Sequence, residues 1–385
     1  MMSYNKNWLD KIKSVLLFKD KQNSPDWYLI GAIWFLVFFG LLMMASAGVA
    51  LGWQRYQDAY WHLKHQLIMG VLPGVIAFWF CSKINYKLWE KLASPMLFVS
   101  IILLALVFIP GISAPWGTSH SWISVFGFSL QPSEIVKLTF LIYLAAWLAS
   151  KEDHHIRDLS YGFIPFLIVL FIITTLLILE PDTGTMIVIV LMSLAIYFTA
   201  GGSLLHLSWL GMLGFLGLGI IIRYSPYRAA RLTTFLHPEL DPKGIGYHIN
   251  QALLAVGSGG IFGRGYGRSR QKFAYLPEVV GDSIFAVIAE ELGFILSVII
   301  VIIFAFITYR GFKLAASCRD SFGRFLVVGI ITWFSVQALI NIGAILGIMP
   351  LTGIPLPFIS YGGTSMFISL AATGILFNIS KQTGK

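Results

Sequence analysis

Apolar runs close to twenty residues long recur along this chain, and that recurrence constrains the fold more than any motif. They lie at about 27–50, 63–82, 94–110, 132–150, 160–179, 184–200, 204–223, 284–309, 323–347 and 363–380. Each approaches the ~20 residues a helix needs to cross a bilayer. Charged residues make up only 12% of the 385, against 57% hydrophobic, whereas a soluble domain carries about a quarter charged residues to solvate its surface. The expected fold is therefore an all-α integral membrane protein of ten transmembrane helices. The net charge of +9 does not imply a nucleic-acid partner, because most Lys and Arg fall in short segments between the runs, where they orient a membrane protein. Cys81 and Cys318 are too isolated to suggest a disulfide framework or a metal site.

Charge asymmetry supplies a direction. Residues 1–26 form a polar tail with Lys6, Lys11, Lys13, Lys19 and Lys21 and read as cytoplasmic. The inside loops then carry Lys83, Lys87, Lys91, Lys151, Arg157, Arg310, Lys313, Arg319 and Arg324, and the short outside loops only Arg55. Both termini are expected in the cytoplasm, with a membrane domain over 27–380 and a short C-terminus at 381–385. The connection between the seventh and eighth spans, about 224–283, is long and polar and falls on the outer side. It holds Arg228, Arg231, Lys243, Arg264, Arg268, Arg270 and Lys272 against Glu239, Asp241, Glu278 and Asp282. A connection of this length is usually functional or disordered. Its Gly-rich stretch, 257–267, is interleaved with apolar residues, so short helices and turns are expected. Gly211, Gly214 and Gly217 in the seventh span predict a face for close helix packing.

Ionisable groups at membrane depth are costly and face a partner or a cavity. The fourth span opens with Gln131-Pro132-Ser133-Glu134 and continues to Lys137. Glu134 and Lys137 share a helix face, as a structural ion pair or as the wall of a substrate cavity. In Glu180-Pro181-Asp182-Thr183-Gly184-Thr185, Asp182 can cap the following helix. Leu276-Pro277-Glu278-Val279-Val280-Gly281-Asp282-Ser283 runs into the eighth span and sets Asp282 at its outer mouth. Glu290 and Glu291 inside that span need partners, for which Lys64, Lys137 and helix termini are the candidates. Residues 350–365, with three prolines and three glycines, cannot form a continuous helix and must line or rim a cavity.

At these clusters the chain resembles the SEDS family (shape, elongation, division and sporulation proteins) from about residue 27 to 380. The likeness rests on Gln131 to Glu134 with Lys137, Pro181 to Thr185, Gly246-Tyr247-His248 through Gly267, Leu276 to Gly293, and Pro350 to Gly363. Tyr227 to Thr233 and Gln271 to Glu278 are more similar to the division members than to the elongation members. The resemblance implies a peptidoglycan glycosyltransferase that polymerises lipid II beside a class B penicillin-binding protein, a transpeptidase. It also implies that Asp282 occupies the catalytic-aspartate position. The chain departs from the family in having Val280-Gly281-Asp282-Ser283 where His-Thr-Asp-Phe is usual, and in lacking an Arg before Trp122, where His120 is a partial substitute.

Glycan polymerisation joins the anomeric carbon of a lipid-linked chain to a sugar hydroxyl, with undecaprenyl pyrophosphate leaving. It needs a base for the hydroxyl and positive charge for the pyrophosphate. Asp282 can be the base. Arg228, Arg231, Lys272 and Lys137 are candidates for the phosphate side, with Glu134, Gln131, Ser133 and Glu278 completing the substrate-binding set. No dedicated metal motif is present, and a divalent cation (Mg2+ or Mn2+) held by Asp282 or Glu278 is an option. Expected partners are lipid II, the nascent lipid-linked glycan, the transpeptidase, other division proteins and membrane lipid. The expected role is septal wall synthesis in cell division; an elongation-type polymerase, a lipid II flippase and a scaffold for the transpeptidase are the alternative functions.

Overall fold

The structure, a computed structural model, describes residues 24–109, 121–125, 128–151, 156–241, 244–273 and 275–383. The apolar runs carry helices α1 (Trp27–Ala47), α2 (Trp61–Lys83), α3 (Ala93–Leu106), α4 (Pro132–Ala149), α5 (Leu159–Leu179), α6 (Thr183–Thr199) and α7 (Leu204–Tyr224). Next come α8 (Pro226–Leu236) and α9 (Ile245–Ser258) in the long connection, then α10 (Ile284–Ser317), α11 (Ser321–Ile345) and α12 (Gly363–Gln382). Among the described residues, eight helices are long and apolar enough to cross a membrane; α3 and α6, of 14 and 17 residues, are shorter. A two-stranded antiparallel ribbon, β1 (Ile123–Val125) and β2 (Phe128–Leu130), precedes α4.

Local chemistry sets the helix starts. The Asp26 carboxylate accepts from Leu29 N at 3.0 Å to cap α1, and the same Oδ1 accepts from Arg310 of α10 at 2.7 Å. Pro132 takes the first turn of α4, where a missing N–H costs nothing. Asp182 caps α6 through Thr185 N at 3.0 Å, as its spacing predicts. At the other end of the molecule, Asn378 of α12 donates to Ser82 O at 3.0 Å and accepts from Tyr86 N at 3.1 Å, satisfying the backbone where α2 stops.

Burial sorts centre from edge. The apolar windows of α11 and α12 are each 83% buried and that of α4 72%, against 12% for α7. The first three form the middle of the bundle, around Trp333, Phe334 and Phe140, and α7 lies outside. This corrects the packing expected for Gly211, Gly214 and Gly217: a Cβ at any of them would meet nothing within 4 Å. Small residues permit a close approach, but here no described helix makes one.

The eighth span is two helices. Gly293 interrupts α10 at φ 78°, a conformation open to glycine. The break frees carbonyls above it and amides below it, and the Gly-rich turn satisfies both sets. Arg264 N donates to Glu290 O at 3.0 Å and Gly265 N to Glu291 O at 2.9 Å, while Phe294 N and Ile295 N donate to Gly260 O and Ile261 O at 2.9 and 3.3 Å. The approach is so close that a Cβ on Gly263 would lie 2.2 Å from Glu291 O. The long connection is thus strapped across a buried half-helix, residues 284–292, whose N-terminus follows Asp282.

Candidate functional site

Asp282 lies one residue before Ser283, the N-cap of α10, outside the membrane-spanning segments and partly buried. Its backbone carbonyl accepts from Asn341 Nδ2 of α11 at 2.9 Å, and the same Nδ2 donates to Ile354 O at 2.8 Å. The irregular segment 350–362 is held against the turn before α10: Ser360 Oγ donates to Gly281 O at 2.7 Å and Tyr361 N to Val280 O at 2.8 Å. Gln66 of α2 accepts from Gly362 N at 3.0 Å, and Gln337 of α11 donates to Pro355 O at 2.8 Å. Side-chain amides therefore do for this segment what a helix would do internally. Gly353, at φ 77°, brings the backbone beside the aspartate, and a Cβ there would stand 3.5 Å from Asp282 Oδ2.

Two other elements face this point. On α8, Arg228 and Arg231 are three residues apart and share a face; Arg228 Nη2 donates to Ile178 O at 2.6 Å and Arg231 Nη1 to Thr352 O at 3.4 Å. At the α5–α6 turn, Asp182 Oδ2 accepts from Ser133 Oγ at 2.8 Å and Gln131 Nε2 at 3.4 Å. The carboxyl of Asp282 is pushed up to about 7, first by burial and then by the charges of Glu278 and Asp182, with Arg231 pulling the other way. Nearby cations favour the ionised form, but desolvation outweighs them. Glu180, buried and with neither carboxyl oxygen hydrogen-bonded among the described residues, is raised to about 9 by burial and by Asp182. It is a neutral acid at physiological pH.

The sequence-derived set therefore divides. Asp282, Arg228, Arg231, Gln131 and Ser133 meet around the N-terminal ends of α4, α6 and α10, with the exposed Glu278 at the rim. Glu134 and Lys137 do not join them. They form a 2.6 Å ion pair in which each side chain is 1% exposed, and Lys137 also donates to Gln337 Oε1 at 2.8 Å. Its ammonium stands 4.9 Å from the centre of the Trp333 ring. This is a bundle-core pair that braces α4 against α11.

Lys272 also lies apart. Its three ammonium protons go to Ser46 Oγ (2.9 Å), Gly267 O (2.8 Å) and Glu291 Oε1 (2.8 Å), which leaves no donor for a phosphate. Glu291 further accepts from Ser46 Oγ, Gly267 N and Ser269 N, and Glu290 from Ser269 Oγ, Arg270 N and Gln271 N. The partners of these two glutamates are thus the connection and Ser46 of α1, not Lys64, which pairs with Asp58. Lys272→Met is expected to cost about 2 kcal/mol, less than a wholly stranded charge because Glu291 keeps a hydroxyl and two amide donors. A thermal midpoint equal to wild type in detergent would return Lys272 to the substrate side.

Three residues outside the sequence-derived set complete the site: His248, which lies in the Gly246-Tyr247-His248 motif, and Asn341 and Gln337, which lie in none. His248 of α9 shares a 2.6 Å hydrogen bond with Ser283 Oγ, and burial, with Arg231 adding to it, lowers its ring to about 4, so it is neutral. Asn341 and Gln337 sit four apart inside an apolar span, and that polar pair is the signal that could have found them. His120 and Lys243 lie outside the described residues.

A family model described as a cell cycle protein, covering FtsW, RodA and SpoVE, matches residues 27–385. The chain belongs to this family. Its sequence is 40% identical to stage V sporulation protein E of Bacillus subtilis over 94% of this chain and 99% of that one. It is 41% identical to the probable peptidoglycan glycosyltransferase FtsW of Trichlorobacter lovleyi over 90% of each. In three dimensions it is similar to a chain of a peptidoglycan synthase complex, with a TM-score of 0.75 over 94% of this chain and 98% of that one. The rod shape determining protein RodA of Thermus thermophilus follows at 0.67 over 94% and 98%. At 24% identity each, these two likenesses speak for the FtsW–RodA–SpoVE fold alone.

Proposed function

We infer that this chain is a peptidoglycan glycosyltransferase that polymerises lipid II at the outer face of the cytoplasmic membrane, with Asp282 as its base. One observation carries the reading: a partly buried aspartate whose backbone carbonyl is held by the Asn341 amide, with its carboxyl pushed up to about 7 by burial and Arg231 among the charges acting on it. A base poised near the operating pH combines an ionised population with useful basicity. The name of the Trichlorobacter lovleyi relative, a probable peptidoglycan glycosyltransferase, supports the same reaction.

In this mechanism the lipid tails of both substrates stay in the bilayer and the sugars reach the mouth of α10. Asp282 takes the proton of the acceptor hydroxyl as its oxygen bonds to the donor's anomeric carbon. The bond to undecaprenyl pyrophosphate breaks as that bond forms. Arg231 and Arg228 supply the positive charge that stabilises the departing group. Gln131 and Ser133 orient Asp182 on the facing side. Among the described residues no group of three or more His, Cys, Asp or Glu could hold a metal ion. Mg2+ or Mn2+ arriving with the pyrophosphate would need only Asp282 or Glu278 from the protein.

A class B penicillin-binding protein is the proposed partner, and the division septum the proposed place of action. The relatives include both a sporulation protein and division-type FtsW, so wall synthesis at a septum fits better than elongation. Purified protein given labelled lipid II should make polymer. Transfer of lipid II across a vesicle without polymer would identify a flippase, and neither activity would leave a scaffold. For topology, Cys81 and Cys318 are buried and Arg268 is exposed. An Arg268→Cys variant should react with an impermeant thiol reagent applied outside intact cells. Protection there would invert the orientation.

A further inference from the structure

Asn341 lies buried near the C-terminal end of α11, 3% exposed, outside every motif that marks the site and nine residues before the Pro350–Gly363 segment. Its Nδ2 reaches two backbone carbonyls that the chain separates by 72 residues, Asp282 O and Ile354 O. Rotating the amide would set its oxygen against both, so the donor assignment follows from the acceptors. One turn earlier, Gln337 repeats the grip on Pro355 O, and its Oε1 accepts from Trp333 Nε1 at 2.7 Å and from Lys137. Residues four apart share a helix face, so α11 presents two amides in a row to the irregular segment. Only Asn341 also holds the turn that bears Asp282.

We propose that Asn341 is a positioning residue for Asp282: its amide fixes the turn before α10 and the 350–357 backbone to one point of α11 and thereby keeps the carboxylate against Gly353. Losing it strands two buried carbonyls. The segment then moves off the carboxylate and water enters between them. The other charged groups that act on Asp282 are Glu278 from its own turn, Arg231 from α8 and Asp182 from the α5–α6 turn. His248, on α9, acts only through Ser283.

The catalytic side of this inference rests on Asp282 being the base; its structural side does not. Asn341→Leu is close in shape and removes both donors; Asn341→Gln retains them on a longer stem. The first measurement is labelling of Asp282 by a water-soluble carbodiimide and an amine, mapped by mass spectrometry across pH in the purified full-length protein. Because burial is the main force holding the Asp282 carboxyl near 7, Asn341→Leu should move the labelling midpoint to lower pH, and Asn341→Gln should restore part of the shift. The second is polymerisation per folded molecule, where Asn341→Leu should lower kcat roughly 10- to 100-fold, the scale of a misplaced reacting group, at little changed KM. An unshifted labelling midpoint in Asn341→Leu overturns the proposal. So does activity that falls only with the folded fraction while Asp282→Asn is inactive. Should Asp282→Asn polymerise normally while the labelling midpoint still shifts, the base assignment fails and the positioning role stands.

Discussion

Asp282→Asn is expected to polymerise lipid II at least about 10²-fold more slowly than wild type, the usual size of a lost acid–base contribution, while its thermal midpoint holds. The substitution is nearly isosteric, and the bond from Asn341 goes to the backbone carbonyl, which the side chain does not touch. An amide cannot take the hydroxyl proton, and a neutral group is easier to bury than a carboxylate, so chemistry should be lost without cost to the fold. The measurement is glycan polymer per folded molecule, with transpeptidase co-purification alongside. Near wild-type rate would move the base elsewhere, with Glu278 next in line. Loss of the partner as well would make Asp282 structural. The pH profile of the wild type supplies a second check. A base must be ionised, and burial keeps this carboxyl protonated up to about 7. Activity should therefore fall as pH drops through that value, well above the range in which an exposed aspartate titrates.

Lys137→Met is expected to cost about 3–5 kcal/mol, the price of stranding one partner of a buried ion pair. Among the described residues Glu134 pairs with Lys137 alone: its Oε1 goes to Lys137, and its Oε2 has no hydrogen-bond partner. Gln337 and Trp333 lose the ammonium between them as well. Adding Glu134→Gln to Lys137→Met removes the stranded charge and should recover much of the thermal midpoint, since a neutral amide can bond where a lone carboxylate cannot be solvated. Should Lys137→Met instead keep its midpoint and lose polymerisation, the lysine serves the substrate after all.

The buried pair, the broken span and the seat of Asp282 differ in how far they can be read from sequence. Glu134 and Lys137 are three apart, so their pairing is local geometry and legible in the residues alone. Asp182 as a helix cap is legible for the same reason. Lys272 is not. Its side chain looks like one more cation in a basic stretch, and only the folded chain brings Ser46, from α1, and Glu291, from α10, to its ammonium. The same closure turns the apparently single run 284–309 into two helices, because the sequence shows Gly293 but not the Gly-rich backbone that satisfies the break. Gly211, Gly214 and Gly217 fail in the opposite sense: their spacing allows a packed face, and the fold places α7 where no described helix uses it.

Periodicity and composition by themselves determined that this chain is a helical membrane protein, where its spans lie, and which clusters carry polar groups too costly to be incidental. Those properties depend on near neighbours and on transfer from water to lipid, which are additive along a chain. Only the tertiary structure decided which polar groups are used up in holding the bundle together and which are left at the mouth of α10. The partners of Asp282 come from elements widely separated in sequence; burial is what chiefly pushes its carboxyl up, and the neighbouring segment, 350–362, takes a path that depends on amides from α2 and α11. Desolvation depends on everything packed around a site at once, and no local pattern of residues encodes it.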